Sequence, residues 1–169
     1  MILPIVKYGH PVLHAPARPV DTVTPDIAKL IDDMFETMYA APGIGLAATQ
    51  VGVPLRVLVI DLSVGRQAGQ QIHLINPVFI EREGSQYEDE GCLSVPGYTA
   101  HVSRDARVVV EGMDREGATV RHDADGLLAR AFQHEIDHLD GCVYVDHLRG
   151  LKRELIMRGI RKQQRKGTW

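Results

Sequence analysis

The sequence predicts an α+β fold: antiparallel strands packed around a buried helix, with one further helix near each end of the chain. Three observations predict it. Apolar residues recur at helical spacing over 27–38 and again over 127–139. Short runs rich in Val and Ile, at 56–61, 71–83, 106–113 and 118–123, are bounded by Gly, Pro and Asp. Those runs succeed one another across short turns instead of alternating with helices, which argues against a wound parallel sheet.

The first helix starts at Thr24-Pro25-Asp26, a hydroxyl cap, a proline at the first helical position and an acid in the first turn. Ile27, Leu30, Ile31, Met34, Phe35 and Met38 give it an apolar face that runs to about Tyr39. RVLVID (56–61) reads as a strand. QIHLINP and VFIERE read as two more, with Pro77 a break between them. ARVVVEGM (106–113) and ATVRHD (118–123) form a hairpin across Asp114 to Gly117. Asp123 or Asp125 caps a helix through GLLARAFQHEIDHLD, which Gly141 ends. CVYVDHL is a short apolar run, and the last segment is a helix interrupted or bent near Gly159.

The 169 residues suffice for a single catalytic domain, 1–169, in which 149–169 form a basic helical tail. No apolar run approaches the ~20 residues that a membrane span needs. The opening MILPIVKYGHPVL lacks a basic flank and meets Pro4, Gly9 and Pro11, unlike a signal peptide. Two cysteines without an export signal suggest reduced thiols and a cytoplasmic location. The net charge of −3 conceals an asymmetry. Residues 151–169 hold seven Lys or Arg and one Glu, +6, which leaves −9 for the rest. Such a tail is either a solvated helix end or a contact for a polyanion such as RNA.

The segment QHEIDHLDG (133–141) carries the chemistry. On a helix, His134 and His138 lie one turn apart on one face, so both imidazoles reach a common point. Leu128, Phe132, Ile136 and Leu139 make the helix apolar over much of its circumference, so it is buried. Buried imidazoles need partners, and a metal ion supplies both. Glu135, about 100° round from the histidines, reaches a metal-bound water without being a ligand. A third ligand is then required. His at 144 would complete one zinc-protease pattern, but that residue is Tyr144. Glu154 would complete another, yet it sits within the basic tail. Cys142 comes just after the helix-ending Gly141 in an apolar run and reads as a core residue. Cys92, in EDEGCLSVPG between turn signals, is the better placed, and a thiolate with two imidazoles suits Zn2+, Fe2+ or Co2+.

PGIGLAATQVGVP (42–54) partly matches a dinucleotide fingerprint, Gly43-x-Gly45-x-x-Ala48, with Asp61 downstream. That fingerprint must come after a strand and open a helix. Here it comes after a helix, and Gly52 and Pro54 leave little room for another. Glycines also let backbone approach a ligand closely, and Gln50 offers a neutral donor for a developing oxyanion.

Taken together, GIGLAATQ (43–50), EGCLS (90–94) and QHEIDH (133–138) closely resemble, in order and spacing, the three signature motifs of the peptide deformylase family. The resemblance implies that Cys92, His134 and His138 bind one divalent metal ion, commonly Fe2+, with Zn2+, Ni2+ or Co2+ as alternatives. It implies Glu135 as general acid and base in attack by metal-bound hydroxide, with Gln50 and the Leu93 N–H stabilising the oxyanion. Gly45 would contact substrate through its backbone. Ile44, the Val95 loop and residues around Phe132 are candidates for a methionine pocket. Glu90 and Arg104 fix loop or substrate geometry or form a surface ion pair. The implied substrates are formyl-methionyl nascent polypeptides, with the basic tail a ribosome contact and neither membrane nor DNA a partner. The same residues admit two rivals: a zinc endopeptidase of another H-E-x-x-H type, and a structural metal site in an RNA-binding module.

Overall fold

The computed structural model describes residues 1–169 and has three helices and seven strands. Helix α1 (Pro25–Ala40) opens with Thr24 Oγ1 accepting from the Ile27 N–H at 3.4 Å. Strands β1 (Gly45–Ala47), β2 (Val57–Ile60), β3 (Ile72–Glu83), β6 (Arg107–Met113) and β7 (Thr119–Asp125) form one antiparallel sheet in the order β1-β2-β3-β6-β7. Strands β4 (Gln86–Cys92) and β5 (Val95–Arg104) pair only with each other. Helix α2 (Gly126–Leu139) carries the H-E-x-x-H segment, and α3 (Gly150–Lys166) is the last element.

Alternation along β2 shows how the core is divided. Leu58 and Ile60 face α2, where they join Ala129, Phe132, Ile136 and Leu139. Val57 and Val59 face α1, where they meet Ile31, Met34, Phe35 and Met38. Successive side chains of a strand point to opposite faces, so the helices cover both sides and all four residues of β2 are buried. A third cluster joins β5 to α3 through Val95, Val102, Tyr144, Ile156 and Ile160.

Four local expectations are corrected. Pro77 does not break the strand. β3 runs through it, because Asn76 adopts a left-handed backbone (φ 54°) and a bulge between Ile75 and Val78 places the missing N–H outside the ladder. Val95 lies in a strand and not in a loop: the EDEGCLSVPG stretch is a hairpin whose two-residue turn is Leu93-Ser94, with Cys92 at a strand end. Helix α3 is continuous through Gly159. Asp125 occupies the cap position of α2, yet its side chain accepts no bond there, and Asp123 pairs with Arg107 at 2.8 Å. Asp61 is occupied as a loop staple, accepting from the Tyr39 hydroxyl at 2.5 Å and from the Ser63 and Gly65 N–H groups.

Candidate metal centre

Three chain segments converge on one point. The turn ending β4 brings Cys92, and α2 brings His134 and His138 one turn apart, so that a sulfur and two ring nitrogens lie within 4.8 Å of one another. Cys92 Sγ is 3.3 Å from His138 Nε2. Both histidines are buried, with 8% and 0% of their surface exposed. The 3-10 turn after β1 brings Gln50, whose Oε1 accepts from the Ala47 N–H at 2.9 Å. That bond turns Nε2 toward Ser94 Oγ (3.1 Å) and Cys92 Sγ (3.5 Å).

Glu90 fixes the ring of His134. Its Oε1 lies 2.7 Å from Nδ1, so Nδ1 is the nitrogen that donates to Glu90 and Nε2 is the one left for the Cys92 side of the cluster. Glu90 is buried and held by Arg104, whose Nε and Nη2 donate at 2.8 Å, and by Arg130. Burial alone would raise its pKa; the Arg104 guanidinium outweighs burial and holds the carboxylate ionised, well below the usual range. Arg104 also reaches Asp137 at 2.5 Å, tying the hairpin to α2. The Glu90–Arg104 pair is therefore buried, not a surface ion pair.

Burial and mutual contact perturb the titratable groups of this cluster in opposite directions. Burial pushes His134 down, but the Cys92 thiol and the Glu90 carboxylate outweigh it and raise the ring well above its ordinary value. His138 is pushed well below by burial, then by His134, so its lone pair is free. Burial pushes Glu135 up to about 7. Its Oε2 and His138 Nδ1 are buried atoms without a hydrogen-bond partner. A soft-and-borderline donor set with an orphaned carboxylate oxygen beside it fits a divalent ion. The second cluster of Asp137, Cys142 and His147 does not fit one, because Arg104 Nη1 already stands 2.5 Å from Asp137 and 3.4 Å from His147. Cys142 is half-buried there and not a core residue.

A cleft of about 750 Å³ opens beside the cluster, lined by Ile44, Gly45, Leu93 and Val95 together with Gln50 and Glu135. Gly45 lies directly against Glu135: a Cβ at that position would stand 2.5 Å from Oε1. Phe132 itself points into the sheet-facing core; of the residues around it, Leu127 and Ala131 line the cleft. Ser94 and Arg130 are invisible as site residues in the sequence. Nothing local marks a serine in a turn or an arginine on a helix as inward-facing.

The family model for polypeptide deformylase matches residues 2–154. The chain is 52% identical over 169 residues to the peptide deformylase of Acidobacterium capsulatum, covering 100% of this chain and 99% of that one. It is 48% identical over 163 residues to that of Thermodesulfovibrio yellowstonii, covering 96% and 99%. Among solved structures, a peptide deformylase from Legionella pneumophila superposes with a TM-score of 0.92 at 41% identity, covering 99% and 98%.

Proposed function

The chain belongs to the polypeptide deformylase family, and on that basis we propose that it removes the formyl group from the N-terminal formyl-methionine of new polypeptides. The observation that carries the reading is the unpartnered Glu135 Oε2 buried beside a Cys92, His134 and His138 cluster. Those three residues would hold a divalent ion, Fe2+ being our assignment, with Zn2+, Ni2+ and Co2+ compatible with the same donors. Such an ion would supply Lewis acidity and would bring the pKa of water near neutrality.

The protein's own groups do the rest. Glu135 accepts a proton from the attacking water and returns it to the leaving amine, a task that suits a carboxyl raised to about 7. Gln50 Nε2, aimed by Ala47 and Ser94, and the N–H of Leu93 donate to the oxygen that gains charge as the formyl carbon becomes tetrahedral. Glu90 keeps His134 in the tautomer that offers Nε2. Gly45 presents bare backbone to the substrate, and Ile44 with Leu127 and Ala131 offers apolar surface for the methionine side chain.

No helix is long and apolar enough to cross a membrane. Lys152, Arg158, Arg161, Lys162, Arg165 and Lys166 of α3 are exposed, and they support a contact with ribosomal RNA. Because Ile156 and Ile160 are buried, reversing those charges tests the contact better than removing the helix. Ribosome binding that survives reversal refutes it.

The first test of the reaction is mass analysis of a formyl-Met tripeptide incubated with anaerobically purified protein, its metal content recorded. Loss of the formyl group with the peptide bonds intact is expected. An intact substrate beside a filled metal site refutes the reading, and cleavage at an internal bond favours an endopeptidase.

A further inference from the structure

Gly159 sits in the middle of α3, where glycine costs about 1 kcal/mol relative to alanine. Its backbone is ordinary helix, so no turn requires it. What requires it is a close approach. A Cβ at 159 would stand 2.1 Å from the Tyr98 hydroxyl, 3.0 Å from Cζ and 3.3 Å from Cε1. The helix is notched, and the phenol of Tyr98 fills the notch.

Tyr98 belongs to β5, but its side chain is held from elsewhere. Gln163, one turn beyond Gly159, donates to its hydroxyl at 3.5 Å. The Trp169 ring lies 6.5 Å from the Tyr98 ring, and Tyr144 donates to its carbonyl at 3.2 Å. The same residue, with Pro96 and Gly97 before it, lines the cleft that contains Glu135. Pro96 and Gly97 are exposed whereas Glu135 and His134 are buried, so this wall stands at the mouth of the cleft. A peptide whose first residue reaches the metal centre must pass that mouth with its later residues.

We propose that Tyr98 is a positioning residue for the part of the peptide beyond the methionine, and that α3 holds it in place through the notch at Gly159. The inference rests on the deformylase reading and deepens it. Specificity for the residues after methionine is then set partly by a helix that touches none of the reacting groups, and displacement of α3 moves a wall of the cleft.

The test compares KM and kcat for a formyl-Met dipeptide and a formyl-Met tetrapeptide in the wild type, G159A and the Y98F/G159A double variant. Alanine is the better helix former, so the only new strain in G159A is the contact with Tyr98, which must give by about 1 Å. The tetrapeptide KM should rise about fivefold, with its kcat and both dipeptide constants held within about twofold. Y98F removes the 2.1 Å contact and leaves the one at 3.0 Å, so it should restore most of the lost affinity. Unchanged tetrapeptide KM in G159A overturns the proposal. So does equal loss for both substrates, or absence of rescue. Should G159A not fold, Y98L, which removes the phenol without touching α3, must raise the tetrapeptide KM alone or the proposal fails. A wild type inactive on both peptides sinks the deformylase reading and this inference with it. An active wild type with a length-blind G159A sinks the inference alone.

Discussion

Replacing Gly45 by alanine should disable the reaction while sparing the fold and the metal. Gly45 is paired with Ile60 in the sheet, outside the left-handed region, so its backbone accepts an L-residue. The added methyl would meet Glu135 Oε1 at 2.5 Å, Cδ at 3.0 Å and Cγ at 3.1 Å, where ordinary contact begins at 3.4 Å. The whole outer half of the Glu135 side chain must therefore retreat, its carboxyl by about 1 Å. A displacement of ~1 Å in a reacting group costs on the order of a hundredfold, or about 2.7 kcal/mol of barrier. The assay is formate release from a formyl-Met peptide, with metal content and melting temperature measured on the same preparation. We expect kcat/KM to fall about a hundredfold with metal bound in full. Activity within about threefold of wild type would show that Glu135 need not sit where it does, and the assigned proton path would fail with it.

The other perturbations test neighbouring parts of the same arrangement. E135Q should keep its metal and lose about a thousandfold in kcat, within the range for general acid–base groups; loss of metal in that variant would refute the role. Burial also makes the metal-free protein sensitive to pH. Between an ordinary 4.5 and about 7 the folded chain keeps a proton on Glu135 that the unfolded chain has released, so stability falls as pH rises through that window. At about 1.4 kcal/mol per pH unit the decline reaches roughly 3 kcal/mol, and denaturant titrations of metal-free E135Q should lack it; identical pH dependence would contradict the burial of the charge. Glu90→Gln removes the negative partner of His134 Nδ1 and the carboxylate that Arg104 and Arg130 share, leaving Arg104 only Asp137. Chelator competition should show metal affinity lowered about ten- to a hundredfold, and an unchanged affinity would mean that the ring needs no such orientation.

Sequence and structure agree where the signal is local. The cap at Thr24, the 3.6-residue spacing of α1 and α2, and the turn between β6 and β7 depend on neighbours along the chain. They are legible for that reason, as is the H-E-x-x-H pair. The β4–β5 hairpin is not. Its first strand, QYEDEGC, is acidic and mostly exposed, and it holds its shape because Glu90 is drawn inward by Arg104 and Arg130, which come from β5 and α2. Three consecutive acids give no hint that the last of them is buried. Which residues around Phe132 reach the cleft is hidden in the sequence because a helix apolar on two sides does not say which side meets the sheet. Pro77 misleads because the Asn76 bulge that accommodates it exists only with the opposing strand in place.

The β4–β5 hairpin shares no ladder with the five-stranded sheet, and this has a kinetic side. Cys92 rides on the hairpin, while His134 and His138 ride on α2. An ion bound to all three would clasp the hairpin to the helix across elements that share no backbone ladder. Opening of the hairpin would strip the ion of one ligand of three, and Arg104, gripping both Glu90 and Asp137, resists that opening. Loosening that grip would hasten metal escape without altering a single ligand, and amide exchange along β4 would register it.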